Sequence, residues 1–145
     1  MNSVHSARRA WSNTARICSP VVVVWVDASS FMAGIKLLLE PINTRDIPGF
    51  FVNRTLQALA LFDAVGSPNL FLQYDIYHMQ IMEGDVIATI RRDHAFFAHY
   101  HTGGVPGRHE IDDTQELNYP AIMRAIVKTG FKGHVAQEFI PAKPE

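Results

Sequence analysis

The fold of this chain is decided by residues 70–80, LFLQYDIYHMQ. An apolar run ends at Asp75, and His78 follows three residues later. A carboxylate at the end of an apolar strand lies where the core meets solvent, which is a common position for the active site of an α/β protein. The alternative interpretation is that Asp75 caps the next helix and His78 lies on the surface.

Strands and helices are predicted to alternate on both sides of this segment. Four apolar segments are predicted strands, at 35–40, 70–74, 96–101 and 133–138. Helical spacing and capping residues predict helices from about Asn53 to Gly66, over 81–92, and from Asn118 to Gly130. In the first helix the residues at helical spacing are Leu56, Leu59, Ala60 and Ala64. Alternation of this kind indicates consecutive βα units with a parallel sheet.

The four predicted strands share one chemical feature at their carboxyl ends. Each delivers a side chain that can bind a metal, and these residues are Glu40, Asp75, His101 and Glu138. Because parallel strands all end on the same face of the sheet, the four side chains are expected to meet. The pattern therefore predicts one site rather than four separate caps.

Composition excludes several classes of protein. The chain has 145 residues and a net charge of −1, so we expect one globular domain with no nucleic-acid partner. The single cysteine, Cys18, excludes an internal disulfide and fits a reducing compartment such as the cytoplasm. No apolar run reaches the roughly 20 residues that span a bilayer, so no membrane association is expected.

The N-terminal segment differs from the rest of the chain. It has no acidic residue from Met1 to Val26 and contains Arg8, Arg9 and Arg16. We interpret residues 1–32 as a leader of uncertain origin, with an organelle transit peptide as the alternative. One buried strand is predicted within it, at 21–26, VVVVWV.

Four segments are distinctive as a set: LLEPIN (38–43), QYDIYHMQ (73–80), PGRHE (106–110) and EFIP (138–141). Together they resemble the hydroxypyruvate isomerase family, a branch of the xylose isomerase-like TIM barrels alongside the ketose 3-epimerases. The resemblance runs from about Ala33 to Pro141. It implies that residues 33–145 form the C-terminal half of a (β/α)8 barrel, with the last four βα units.

The resemblance also implies roles for individual residues. One divalent metal would be bound by Glu40, Asp75, His101 and Glu138, and the two glutamates would serve as acid and base. An oxygen-rich set of this kind suits Mg2+ or Mn2+, and zinc is possible. The implied contacts with substrate are His78, Arg108 and His109.

The implied reaction is the isomerisation of hydroxypyruvate to tartronate semialdehyde through an enediolate. Ketose epimerases use histidine at the strand end where His101 stands, so a ketose 3-epimerase is the alternative. Either way the expected partner is a small hydroxy-keto acid or sugar. The third interpretation is a catalytically inactive barrel fragment.

Four strands of such a barrel would leave two sheet edges and an apolar face exposed. A homo-oligomer or an aggregation-prone protein is therefore expected.

Two further histidines lie at strand positions that face the same side as the four strand-end residues. His99 is expected in the core or behind His101, and His134 is expected to pack in the core.

Overall fold

The computed structural model describes residues 34–143. The predicted leader at 1–32, with Cys18 and the predicted strand at 21–26, lies outside these residues. The elements, in chain order, are β1 Leu37–Leu39, α1 Thr55–Val65, β2 Leu70–Asp75, α2 Ile76–Met82, α3 Val86–Asp93, a 3-10 turn His94–Phe96, β3 Phe97–Thr102, α4 Tyr119–Lys128 and β4 His134–Gln137. None of the helices described is long and apolar enough to cross a membrane.

The four strands form one parallel sheet in the order β1-β2-β3-β4. Asp75 pairs with His101 across β2 and β3, and His101 pairs with Ala136 across β3 and β4. These registers bring the carboxyl ends of the strands level with one another. The prediction of consecutive βα units with a parallel sheet is confirmed.

The core lies between the sheet and its helices. Leu72, Tyr74 and Tyr100 are fully buried there. The ring of Tyr74 stacks on that of Phe97 at a centroid distance of 4.5 Å, and Tyr100 packs edge-on against Phe131 at 4.8 Å. Aromatic pairs of this geometry add to the free energy gained from burial. This layer anchors β2 and β3, the strands that carry Asp75 and His101.

The opposite face of the sheet is open to solvent in the described part of the chain. Leu38 is 41% exposed, and His134 is exposed as well. The expectation that His134 packs in the core is therefore wrong. Its position on the inward face was predicted from strand alternation, but burial requires a covering layer, and no described helix supplies one.

The single helix predicted at 81–92 is wrong in its bounds. The structure has two helices here, α2 and α3, separated by residues 83–85, of which Gly84 and Asp85 have φ of 63° and 45°. Helix α2 begins directly after β2, because the Asp75 side chain accepts hydrogen bonds from the backbone N–H groups of Tyr77 and His78 in its first turn. Left-handed backbone at Gly84 then ends it.

The buried face of helix α1 overlaps only in part with the residues noted at helical spacing, because Leu59 packs against the core and Leu56 does not. Leu56 is 65% exposed, whereas the buried residues are Thr55, Ala58, Phe62 and Val65. The rotation is set at Thr55, whose N–H and hydroxyl both donate to the Glu83 carboxylate at 2.8 Å. The predicted end of this helix at Gly66 is confirmed, with φ of 68°.

Candidate metal centre

The side chains at the four strand ends form one cluster. Glu40 directly follows β1, Asp75 ends β2, His101 lies near the end of β3, and Glu138 directly follows β4. One ligand-capable atom from each lies within 4.8 Å of the other three. The structure thus brings together the four residues that the sequence predicts as metal ligands.

Most of the cluster is hydrogen-bonded, but one buried oxygen is not. Gln73 Nε2 donates to Glu40 Oε2 at 2.7 Å, and His101 Nδ1 contacts Glu138 Oε2. Glu40 Oε1 is buried and has no hydrogen-bond partner among the described residues. It lies 3.8 Å from His101 Nδ1 and 4.0 Å from His78 Nε2. A buried carboxylate oxygen without a partner is costly, and a cation would satisfy it.

The donor set fits a divalent cation. Three carboxylates and one imidazole are ligands that Mg2+, Mn2+ and Zn2+ all accept. The ligand atoms lie within 4.8 Å of one another, close to the separation of about 4.0–4.4 Å between opposite ligands of one ion at bond lengths of about 2.0–2.2 Å. Both this spacing and the unpaired Glu40 Oε1 favour a metal at this position.

Asp75 has two roles in the structure. Its Oδ1 accepts hydrogen bonds from Tyr77 N at 2.8 Å and His78 N at 3.3 Å, which caps α2. Its Oδ2 faces the cluster and accepts from Arg108 Nη2 at 2.8 Å. The alternative interpretation of the segment was therefore half correct, because Asp75 does cap the helix but His78 is only 2% exposed.

The His78 imidazole lies between a loop and the cluster. Asn43 Nδ2 is 2.7 Å from its Nδ1, and Arg108 Nη1 is 3.1 Å from its Nε2. Burial lowers the pKa of His78 below its usual value, although the charge of Asp75 opposes that change.

Arg108 reaches the cluster from the loop after β3. Its Nη2 also lies 2.9 Å from Glu138 Oε2, and its Nε donates to the Glu138 carbonyl oxygen at 3.1 Å. The residue has φ of 56°, and its backbone bonds to Gly104 and Ile140 hold this left-handed conformation. The guanidinium thus offsets the charge of two carboxylates of the cluster.

The two remaining histidines considered in the sequence analysis, His109 and His99, lie at the edge of the cluster. His109 is exposed, and its Nδ1 is 2.7 Å from the Ile140 carbonyl oxygen. No contact described for it reaches the cluster, so its role with substrate stays a prediction. The His99 ring is partly buried, 4.9 Å from that of His101. Burial lowers the pKa of His99, and the neighbouring His101 adds to the effect.

The sequence was compared with known families and proteins. It matches the family described as xylose isomerase-like TIM barrel over residues 27–145. The chain belongs to this family. Its four-stranded parallel sheet is therefore part of a (β/α) barrel of the xylose isomerase-like type.

Individual members of the family include isomerases. The chain is 45% identical over 108 residues to 2-oxo-tetronate isomerase of Cupriavidus necator, and 44% identical over 107 residues to hydroxypyruvate isomerase of Escherichia coli. Each alignment covers 74% of this chain and 41% of the relative. The chain thus spans less than half the length of these curated relatives.

Solved structures show the same xylose isomerase-like fold. A crystal structure titled AP endonuclease, family 2, from Brucella melitensis has a TM-score of 0.75 and 40% identity, with 78% of this chain and 43% of that chain covered. A structure of L-ribulose 3-epimerase has a TM-score of 0.68 and 28% identity, with 79% and 37% covered.

Sequence reasoning missed several residues around this xylose isomerase-like site. Gln73 could have been found, because it lies two positions before Asp75 and so faces the same side of the strand. Asn43, Asp46 and Tyr77 carried no such signal. Tyr77 Oη donates to Asp46 Oδ2 at 2.6 Å, across a separation of 31 residues that no local pattern predicts.

The electrostatics of the cluster are uneven. Burial, together with the charges of Asp75 and Glu138, raises the pKa of Glu40 from 4.5 to about 7. In the metal-free protein Glu40 therefore holds a proton well above the pH at which an exposed glutamate loses it. A cation at this site would compete with that proton.

The metal-free protein is expected to lose stability as the pH rises from about 4.5 to 7. The folded state retains the Glu40 proton in this range while the unfolded chain releases it, so folding becomes less favourable by about 1–2 kcal/mol after solvent screening. Urea unfolding in EDTA at several pH values measures the effect. The Glu40→Gln variant should lack this part of the pH dependence, and an identical slope in both proteins would contradict the prediction.

Proposed function

We propose that this protein is a metal-dependent isomerase that interconverts hydroxypyruvate and tartronate semialdehyde. The observation that carries the proposal is the cluster of two glutamates, Glu40 and Glu138, with Asp75 and His101 at the carboxyl ends of parallel strands. The names of the two curated relatives, 2-oxo-tetronate isomerase and hydroxypyruvate isomerase, support the reaction class.

The reaction moves a proton between adjacent carbons. A base takes a proton from C3 of hydroxypyruvate, the carbon that bears the hydroxyl, and leaves an enediolate. An acid returns a proton to C2, and the hydroxyl proton moves from the C3 oxygen to the C2 oxygen, so the product is an isomer. A divalent cation held by the four clustered residues would supply Lewis-acid stabilisation of the negative charge.

Glu40 and Glu138 are placed to carry out the two proton transfers on carbon. They follow β1 and β4, the outermost strands of the described sheet, yet their carboxylates converge on the same cluster. Two carboxylates that approach from opposite sides can act as base and acid on one substrate. We assign Glu40 and Glu138 these roles, without a choice of which acts first.

Arg108 and His78 would orient the substrate. The Arg108 guanidinium can form two parallel hydrogen bonds with the substrate carboxylate. Its side chain is 20% exposed and forms ion pairs with Asp75 and Glu138 of the cluster. A substrate carboxylate bound at the cluster could replace one of these partners. The His78 imidazole contacts Arg108 and faces Asp75, and this position supports our assignment of His78 to a substrate oxygen.

A ketose 3-epimerase is the second candidate. His101 favours it, and so does the likeness to L-ribulose 3-epimerase. The two glutamates on opposite sides would then remove a proton from one face of C3 and return it to the other. Ketoses carry no carboxylate, so Arg108 should matter less for this reaction.

The two candidates are separated by turnover assays with Mn2+ on hydroxypyruvate, 2-oxo-tetronate and L-ribulose. We expect turnover of the keto acids, and Arg108→Lys should lower their kcat/KM by about 100-fold because bidentate binding is lost. Arg124→Lys, on an exposed part of α4, is the matched control. Turnover of L-ribulose alone would establish the epimerase, and metal binding without any turnover would establish an inactive fragment.

The proposal includes a homo-oligomer and a cytoplasmic location. Exposed apolar side chains support self-association, with Leu38 on the open face of the sheet at 41% exposure and Val135 on the edge strand β4 at 39%. The single cysteine supports a reducing compartment.

A further inference from the structure

We propose that Asn43 is a positioning residue that holds His78 as the tautomer protonated on Nε2. Asn43 lies in the loop between β1 and α1, 35 positions before His78, and is fully buried. The tautomer decides whether His78 donates or accepts a hydrogen bond on the side that faces the cluster.

The orientation of the Asn43 amide is fixed by Asp46. The backbone N–H of Asp46 donates to Asn43 Oδ1 at 2.8 Å, and Asn43 Nδ2 donates to Asp46 Oδ2 at 3.0 Å. If the amide were rotated by 180°, an N–H group would face the Asp46 N–H, and a carbonyl would face the carboxylate. Only the present orientation satisfies both contacts.

This orientation places two donors at the same nitrogen of His78. Asn43 Nδ2 is 2.7 Å from Nδ1, and the backbone N of Asn43 is 3.4 Å from it. Because both groups can only donate, Nδ1 must accept and cannot carry the proton. In a neutral imidazole the proton then lies on Nε2.

The surroundings of Nε2 agree in part with this assignment. Two acceptors face it, with Asp75 Oδ2 at 3.7 Å and Glu40 Oε1 at 4.0 Å. Arg108 Nη1, at 3.1 Å, is a donor and so opposes an Nε2–H group. Of the two competing donors, the Asn43 amide is locked by Asp46, whereas Arg108 is held through Nη2 and Nε by Asp75 and Glu138 at the end of a long side chain that is 20% exposed. We infer that Arg108 gives way.

The loop that carries Asn43 is tied to the helix that carries His78. Tyr77 Oη donates to Asp46 Oδ2 at 2.6 Å, and Arg45 Nη2 lies 3.2 Å from the same hydroxyl. These bonds hold the β1–α1 loop against the N-terminal turn of α2. The Asn43–His78 contact therefore has a fixed geometry.

The consequence for catalysis rests on the proposed function. An Nε2–H group that faces the cluster can donate to an oxygen of the substrate, including one that gains negative charge in the enediolate. Arg108, once it leaves Nε2, is free to bind the substrate carboxylate. Asn43 touches no substrate in this scheme and acts only through His78.

The test is a two-dimensional 1H–15N correlation of the histidine rings at about pH 8, where a neutral imidazole is expected. It is recorded in EDTA and with Mg2+, and His78→Gln assigns the signals by their loss. We expect His78 in the wild type to show a protonated Nε2 and an unprotonated Nδ1. A wild-type His78 protonated on Nδ1 overturns the proposal, whatever the variants do.

Asn43→Asp should reverse the tautomer, because a carboxylate at this position accepts a proton from Nδ1. The double variant Asn43→Asp with Asp46→Asn removes the contact between two carboxylates and should show the same reversal if the single variant fails to fold. Asn53→Ala, which loses a hydrogen bond to Phe50 O in the same loop, should leave the His78 signals unchanged. An unchanged tautomer in a folded double variant would contradict the role of Asn43.

Turnover separates this inference from the proposed function. In an active wild type, the tautomer-reversed variants should lose about 10- to 100-fold in kcat with a smaller change in KM, since a donor to the reacting oxygen is removed. If His78 shows the predicted tautomer but the protein turns over none of the substrates, the proposed function is contradicted and the assignment of Asn43 still holds. A reversed tautomer with unchanged kcat would overturn the catalytic consequence.

Discussion

Replacement of Glu138 by glutamine is expected to abolish the stabilisation of the protein by Mn2+ or Mg2+. A ligand that binds only the folded state stabilises it by about 2.7 kcal/mol at 100 times its dissociation constant. For a chain of this size that corresponds to an increase of about 10 °C in the unfolding midpoint. We expect this increase in the wild type and almost none in Glu138→Gln.

The physical reason is that glutamine keeps the shape of Glu138 but not its charge. The Glu138 carboxylate contacts His101 Nδ1 and lies within 4.8 Å of ligand atoms of the other cluster residues. A neutral amide is a poor ligand for a hard cation and cannot carry a proton in the reaction. Loss of both roles should lower kcat by at least about 1,000-fold.

Thermal unfolding with and without metal measures the first effect, and a turnover assay measures the second. Glu116→Gln is the matched control, since it makes the same change at an exposed glutamate whose side chain accepts a hydrogen bond from Gln80. It should keep both the metal response and the activity. An equal increase in midpoint for Glu138→Gln and the wild type would show that the ion binds elsewhere.

Asp75→Ala is expected to destabilise the protein even when no metal is present, by about 2–3 kcal/mol. The cap consists of the hydrogen bonds from the N–H groups of Tyr77 and His78 to the Asp75 side chain. Loss of an exposed helix cap costs about 1 kcal/mol, and loss of the acceptor in a buried place costs more, up to about 3 kcal/mol. Removal of one negative charge near Glu40 offsets part of this cost.

Asp75→Asn separates the cap from the metal site. The amide oxygen can still accept from the two N–H groups, so we expect a metal-free stability within about 1 kcal/mol of the wild type. The charge that faces Arg108 and the cluster is lost, and so the response to Mn2+ should fall as it does in Glu138→Gln. One variant therefore damages the fold and the site, and the other damages the site alone.

Urea unfolding in EDTA compares the two variants with Asp113→Ala, a change at an exposed aspartate. Asp113→Ala should lie within about 0.5 kcal/mol of the wild type. If Asp75→Ala and Asp75→Asn were equally destabilised, the cap would not be the cause. If both kept the full response to metal, Asp75 would not be a ligand.

The topology of the sheet could be predicted from the sequence because it depends on local patterns. Apolar segments and helix signals alternate along the chain, and parallel strands end on one face by geometry. For that reason the convergence of Glu40, Asp75, His101 and Glu138 could be expected. The capping of α4 by Asn118, whose Oδ1 accepts from Ala121 N at 3.1 Å, is likewise a local property and is confirmed.

Local patterns failed where a long-range contact or a solvent boundary decides. The buried face of α1 depends on the bonds between Thr55 and Glu83, 28 positions apart. The exposure of His134 depends on what covers the sheet, which strand alternation does not report. The start of α2 was missed because the capping role of Asp75 was treated as an alternative to its place in the site, and the break before α3 lies at the left-handed backbone of Gly84 and Asp85.

The sequence by itself determined the family, the order of the strands and the four residues that converge at their ends. These depend on residue type and spacing, which are local. Only the tertiary structure decided which groups surround those four residues, such as Gln73 beside Glu40 and Asn43 against His78. Hydrogen bonds between loops and strands depend on distances of a few tenths of an ångström, and those distances exist only once the chain is packed.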